Sequence, residues 1–155
     1  MKALDCLRKS ALDCTIKRTP NVPSIAIPKP KYSDTTANGL TKCIVDFLQM
    51  NGCQAERISV EGRVIDSRKT YTDAIGRNRT IGTVKRIKSS SQVGSADISA
   101  TIAGKSVKIE VKIGKDSQSS KQKQYQDQIE SAGGSYLIAK NFQEFYDWYV
   151  LFEKG

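Results

Sequence analysis

Asp97 in GSADISATI, and Glu110 and Lys112 in KSVKIEVKI, have the types and spacing that suit phosphoryl chemistry. Side chains alternate along a β-strand, so Asp97, Ser99 and Thr101 share one face, as do Lys108, Glu110 and Lys112. Ile98, Ala100 and Ile102 take the opposite face of the first segment, and Val107, Ile109 and Val111 that of the second. A hairpin that sets polar against polar must pair Ile98 with Ile109 and Asp97 with Glu110, around a turn centred on Ala103-Gly104. A slip of one residue would flip one strand. That register brings two carboxylates to about 5 Å apart at Cβ, where like charges repel. A divalent cation offsets the repulsion: Mg²⁺ or Mn²⁺ takes hard oxygen ligands, including one or two carboxylates, and leaves room for a phosphate oxygen. Lys112, on the same face, is placed to orient an attacking water or the phosphate. The alternative is a solvated hairpin face on which these charges form ordinary surface pairs.

Gln122 is a fourth candidate. Helical spacing to Tyr125, Ile129 and Ala132 puts its amide on the core-facing seam of a helix. A capping box formed by Ser119 with Gln122 is the competing use of the same residue.

The 155 residues contain no histidine. Ser/His/Asp and Cys/His arrangements are therefore excluded, leaving carboxylates, lysine and metal as agents of hydrolysis. Cys6, Cys14, Cys43 and Cys53 form no C-x-x-C pair and read as free, mostly packing thiols. Against 16 acidic residues stand 25 basic ones, a net charge of +9 that suggests a polyanionic partner. Residues 1–31 carry +5 and residues 63–88 carry +6, which leaves −2 for everything else. Arg63, Arg68, Lys69, Arg77, Arg79, Lys85, Arg86 and Lys88 make the second segment the densest basic stretch and the candidate grip on a phosphate backbone. DNA is the expected partner, and a homodimer is left open. No run reaches the roughly 18 apolar residues of a membrane span. The N-terminus lacks a signal peptide's apolar block, so a soluble, cytoplasmic protein without a membrane partner is expected.

Several elements must position these residues. Leu4, Leu7, Ala11 and Cys14 mark a short amphipathic helix, followed by a proline-rich linker. Residues 1–33 thus read as a basic arm and residues 34–155 as one domain, with a basic excursion at about 62–93. Thr35 or Thr36 caps a helix whose apolar face is Leu40, Cys43, Ile44, Phe47 and Leu48, and Asn51-Gly52 stops it. CQAERISV reads as a strand, and the excursion as an exposed segment with short strands around RTIGTVKRI. After the hairpin come a helix over 120–132 ended by Gly133-Gly134 and a strand SYLIA. A final helix capped by Asn141 carries the stripe Phe142, Phe145, Tyr149 and Phe152, read as core.

GSADISA, then IEVK, then SSKQKQYQDQIESAGGSYLIA resembles the PD-(D/E)XK nuclease superfamily, in particular its VRR-NUC type. Members carry G-x-x-D, E-V-K, a Q-x-x-F/Y helix and an A-G-G turn before a strand. The likeness covers residues 94–140 and reaches back to the helix at 35–51. It implies an α/β, restriction-endonuclease-like core of order αβββαβ, with a mixed central sheet flanked by helices and a C-terminal helix added. It also implies a metal-dependent DNA endonuclease acting on branched or structured DNA. Asp97, Glu110 and the backbone carbonyl of Val111 would hold the metal, Lys112 would help place the water, and Gln122 would match the family's helix glutamine. The pattern departs near Ala37, where the family often has a glutamate. Either two acids suffice, or Glu56 or Asp34 substitutes, or the fold binds DNA with little or no catalysis.

Overall fold

Residues Ala3–Arg18 form helix α1, and Ala3, Leu7 and Ala11 on it are buried. Ala3 and Leu7 belong to the main apolar cluster of the molecule. Gln143 Oε1 accepts the Ala3 N–H at 3.0 Å, and Arg8 donates to the Tyr32 carbonyl at 2.8 Å. The expectation of an arm ahead of a core beginning near residue 34 is therefore revised. A stripe only one residue wide per turn is enough to dock α1, because those residues are small or aliphatic and the basic ones take the remaining faces. The prolines do keep residues 19–33 out of helix apart from a single turn at Ser24–Ala26, and Ile27 there is buried.

The computed structural model describes residues 2–59, 62–87 and 92–154. It divides into two compact units, Met1–Ile58 with Gly94–Gly155, and Ser59–Val93. The excursion expected within a single domain is thus a unit of its own.

In the larger unit, helix α2 (Ala37–Met50) starts at Thr36, whose hydroxyl accepts the Gly39 N–H at 3.1 Å. It ends at Asn51-Gly52, with Gly52 at φ +77°. Strand β1 (Gln54–Arg57) follows, shorter than the segment expected from sequence. The smaller unit contains β2 (Arg63–Asp66), β3 (Lys69–Thr72), β4 (Asn78–Ile81) and β5 (Val84–Ile87). β2 pairs with β5 and β3 with β4, so the exposed excursion, read from sequence as a segment with short strands, is a two-stranded ribbon.

The hairpin is β6 (Ile98–Ile102) and β7 (Lys105–Val111), with Ile98 opposite Ile109 and Ser99 opposite Lys108, as the alternation requires. Ala103 at φ 49° and Gly104 at φ 76° form its two-residue turn, the geometry that matches the twist of paired strands. Helix α3 (Ser120–Ser131), strand β8 (Ser135–Ala139) and helix α4 (Phe142–Lys154) complete the chain. The sheet order is β1-β6-β7-β8, antiparallel except for the parallel β7/β8 pair. The protein is thus mixed α/β, and the larger unit runs αβββαβα after α1.

One face of the sheet is apolar. Ala55, Ile98, Ala100, Ile102, Val107, Ile109 and Val111 pack with Leu40, Ile44 and Leu48 of α2 and Phe142, Phe145 and Tyr149 of α4. Phe47 meets Phe142, Phe145 and Tyr149 edge-on, at centroid distances of 5.7, 5.9 and 5.0 Å. The other face carries Asp97, Glu110 and Tyr136, with α3 laid against it. All four cysteines are free. No helix among the described residues is long and apolar enough to cross a membrane.

Leu7→Ala tests the docking of α1: removing this fully buried side chain is expected to lower unfolding free energy by about 2–5 kcal/mol. A urea midpoint unchanged from wild type would return α1 to the status of an arm.

Candidate active site

Asp97 lies one step before β6, held by main chain and side chain. Its carbonyl accepts the Ile58 N–H at 2.7 Å, and its Oδ2 accepts the Val111 N–H at 2.9 Å. The chain reaches this position only because residue 94 is glycine. Gly94 has φ +88°, and a Cβ on it would stand 2.8 Å from the Lys121 carbonyl group of α3. The first residue of G-x-x-D therefore seats α3 while the fourth faces the sheet's polar surface.

Glu110 is 2% exposed and Lys112 7%. Lys112 Nζ stands 3.1 Å from Glu110 Oε1 and 3.3 Å from both Asp116 Oδ2 and Gln122 Oε1. Gln122 Nε2 donates to the same Glu110 oxygen, and the Tyr136 hydroxyl approaches Oε2 at 3.4 Å. Burial is the main influence raising the Glu110 pKa, and the Asp97 carboxylate adds to it; Lys112 opposes both without cancelling them. Burial works against the Lys112 ammonium, yet Glu110 and Asp116 together lift its pKa above the ordinary lysine value. Burial, then Glu110, likewise raises the Tyr136 phenol, so it remains a proton donor.

The two uses foreseen for Gln122 are one. Its Oε1 accepts the Ser119 N–H at 2.9 Å while Ser119 Oγ accepts the Gln122 N–H at 3.3 Å, a complete capping box. The same side chain reaches Glu110 and Lys112. The seam continues through the half-buried Tyr125 and Ile129, but Ala132, the C-cap beyond the last helical residue, is exposed. Tyr136 and Asp116 belong to the cluster without a sequence signal of their own. Tyr136 follows from the register of β8, where it pairs with Lys108 beside Glu110.

Asp97, Glu110, Lys112 and Gln122 are thus brought together. The substitutes for an acid at Ala37 fare differently. Asp34 Oδ2 accepts the Phe142 N–H at 3.0 Å and so caps α4. Glu56 pairs with Ser99 across β1/β6, on the face of Asp97 but exposed. Among the described residues no group of three His, Cys, Asp or Glu is disposed to hold a metal. The donors that remain are hard oxygens: Asp97 Oδ1, which has no hydrogen bond among the described residues, and Glu110 Oε2 with its one long contact. That donor set fits Mg²⁺ or Mn²⁺ and not a soft metal. Beside it a cleft of about 340 Å³ is lined by Lys112, Lys123 and Lys140 with Asp116, Ser117, Gln118 and Ile138, and its three lysines suit it to phosphate.

The basic residues of the smaller unit that the structure describes are exposed, but not all are unpaired. Arg68 is 2.7 Å from Asp66 and Arg79 3.1 Å from Asp73. Arg63, Lys69, Arg77, Lys85 and Arg86 have no ion pair among the described residues. Lys88 lies outside the described residues.

No protein-family model matches this chain, and no curated protein matches it in sequence.

Lys112→Ala leaves the Glu110 carboxylate buried beside Asp97 without its cation. In metal-free buffer it is expected to lose about 3–5 kcal/mol of unfolding free energy. Glu110→Gln is expected to lose less, because Lys112 keeps Asp116 and the Gln122 carbonyl. Urea unfolding of both variants in EDTA checks the order, and equal losses would mean that the pair is not the buried element described.

Proposed function

We propose that the chain is a divalent-cation-dependent DNA phosphodiesterase with a PD-(D/E)XK-type, restriction-endonuclease-like core. The observation that carries this reading is the buried Glu110–Lys112 pair, anchored by Gln122 and facing Asp97 at the end of one hairpin. The αβββαβ order around it and the lysine-lined cleft support the same reading. A carboxylate buried beside a second, half-buried one gains nothing structurally from the like charge; a pair of ligands does.

Asp97 and Glu110 would hold Mg²⁺ or Mn²⁺, with the Val111 carbonyl as a third oxygen. The bound cation supplies Lewis acidity toward a phosphate oxygen. Gln122 and Tyr136 fix the Glu110 carboxylate so that one edge stays open. Lys112 presents an ammonium that orients the attacking water and meets the charge gathering on the phosphoryl oxygens. In the overall step a water oxygen bonds to phosphorus and one P–O ester bond breaks; one water proton passes to solvent, the other stays on the new phosphate monoester, and the leaving sugar oxygen takes a proton from solvent. Lys123 and Lys140 would hold neighbouring phosphates at the cleft. The basic residues of the smaller unit, Arg63, Arg68, Lys69, Arg77, Arg79, Lys85, Arg86 and Lys88, would supply further grip. Contacts of this kind position DNA without reading its sequence.

A second reading is favoured by Ala37, which stands where an acid is expected: a nuclease-fold module that binds DNA without hydrolysing it. The purified chain is expected to cut at least one of duplex, flap, junction or single-stranded DNA in Mg²⁺ or Mn²⁺ and none in EDTA. Asp97→Asn and Glu110→Gln are expected to abolish cutting while DNA affinity persists. Failure to cut any substrate, together with DNA affinity indifferent to divalent cations, would favour the second reading.

A readout independent of cleavage is thermal stability. A ligand at about 100 times its Kd stabilises the folded state by about 2.7 kcal/mol. Millimolar Mn²⁺ is therefore expected to raise Tm in the wild type, by more when a DNA oligonucleotide is present, and not in Glu110→Gln. An equal rise in both would place the cation elsewhere.

A further inference from the structure

Residues 63–87 form a ribbon whose two faces differ. The inner pair β2/β5 and the outer pair β3/β4 keep one register across the junction at Ser67 and Thr83, and every residue in the four strands is exposed. A two-stranded ribbon with nothing on either face is marginal in water. Local devices order this one. Asp73 Oδ1 accepts the N–H groups of Ile75 and Arg77 at 3.1 and 2.9 Å, and Gly76 at φ +78° closes the tip. At the junction a Cβ on Gly82 would stand 2.3 Å from the Ser67 carbonyl oxygen, so only glycine fits.

In the outer half, Lys69 opposite Ile81 and Tyr71 opposite Arg79 make one face, and Thr70, Thr72, Asn78 and Thr80 the other. In the inner half, Arg63 opposite Ile87 and Ile65 opposite Lys85 make one face, and Val64, Asp66, Val84 and Arg86 the other. In each half, the first face alternates cations with exposed apolar side chains, Tyr71 at 47% and Ile81 at 57% among them. Both acids of the ribbon are engaged internally, Asp66 by Arg68 and Asp73 by Arg79 and the tip amides. The cations left over call for a polyanion, and the apolar groups between them for something that is not phosphate.

Dimensions narrow the choice. Paired strands lie about 4.8 Å apart, so with side chains the ribbon fits a major groove about 12 Å wide and not a minor groove of about 6 Å. From Arg63 to the tip at Asp73 it runs about 33 Å, close to one duplex turn of about 34–36 Å. Tyr71 is the one aromatic residue in this segment, too few for a platform that stacks single-stranded bases.

We infer that the ribbon is an arm for duplex DNA that lies in the major groove. The face of Lys69, Tyr71, Arg79 and Ile81 meets the base edges. Its apolar groups contact thymine methyls, its cation Lys69, with no ion pair among the described residues, reaches guanine N7 and O6, and Arg63 and Lys85 hold the flanking phosphates. This rests on the reading of the partner as DNA, not on hydrolysis.

The test uses the full chain in EDTA, where nothing is cut. By fluorescence anisotropy a 30-bp duplex should bind more tightly than its single strand. Dimethyl sulfate should find guanine N7 protected over part of one turn. The triple variant Arg63→Gln/Lys69→Gln/Lys85→Gln should lower the slope of log K against log salt by up to about 1.8, at about 0.9 for each of the two phosphate contacts of Arg63 and Lys85. Thr70→Gln/Thr80→Gln, on the other face, should leave the slope and the N7 protection unchanged. Tyr71→Ser/Ile81→Ser should lose N7 protection and keep the slope. Reactive N7 on a saturated duplex, equal or tighter binding to single strands, or an unchanged slope in the triple variant would each overturn the assignment. A dimer that Tyr71→Ser/Ile81→Ser converts to monomer would do so too, by giving the face to a second copy. The footprint on the unaltered chain needs no variant, so a failure to fold cannot mask the answer. Absent cleavage with N7 protected overturns hydrolysis alone, and cleavage with N7 exposed overturns the groove assignment alone.

Discussion

A glutamate that is 2% exposed must have its charge answered locally, and most of the larger unit can be understood as the means of answering Glu110. Taking a carboxylate out of water costs several kcal/mol even after relaxation. Lys112 answers the charge, but its own burial is a further cost that Asp116 and the Gln122 carbonyl help to meet. Gln122 reaches Glu110 only because Ser119 starts α3 where it does, and α3 lies close enough only because Gly94 has no side chain against Lys121. Tyr136 reaches Glu110 only because β8 is parallel to β7 in one register. Loss of any of these leaves a buried charge short of a partner, which couples helix cap, glycine contact and strand register into one requirement.

The two units are stabilised by different physics. The larger has an apolar layer between the sheet and α1, α2 and α4, with Phe47 set among the aromatic rings of α4. The smaller has no buried strand residue, and its order comes from turn geometry, cross-strand pairs and the Asp66–Arg68 and Asp73–Arg79 contacts. Exposed ion pairs of this kind contribute little each. A ribbon held this lightly can adjust to a partner's shape with little loss of folding energy, whereas the Glu110 cluster cannot move without breaking its pairing.

The hairpin, the cap of α2 and the stripe on α4 were legible in the sequence, because in each the apolar period and the terminating residues agree. Ile98 could pair only with Ile109 if Asp97 and Glu110 were to share a face, and Ala103-Gly104 supplied the turn. Gln122 was legible as two alternatives that one side chain satisfies together. What was not legible depends on contacts distant in sequence. Leu7 looks like part of a short surface helix until α2 and α4 are in place. Asp34 looks like a spare acid until the Phe142 N–H is found to need it. Tyr136 enters through strand register, which a segment of five residues does not reveal by itself. The ribbon was only partly visible, because strands without a core face mix cations with apolar residues and lack the clean alternation of a half-buried sheet.

On the proposed reading, the absence of an acid at Ala37 is more than a missing ligand. Asp34 is committed to α4, and Glu56, though on the correct face, stands on the edge strand opposite Ser99, diagonal to Asp97 and about 7–8 Å from it by ladder geometry. On the proposed reading a cation would meet two carboxylates and a carbonyl, with Lys112 nearby subtracting from the negative charge. Such a site binds Mg²⁺ weakly by itself, since Mg²⁺ gives up its waters reluctantly and gains few protein oxygens in exchange. A DNA phosphate would add the missing anionic oxygen and relieve Lys112 of part of its role toward Glu110. Cation and DNA would then bind with positive coupling, each raising the other's affinity by the same factor. A two-carboxylate site is therefore compatible with catalysis provided that the substrate completes it, and the grip on DNA outside the site becomes part of how the cation is held.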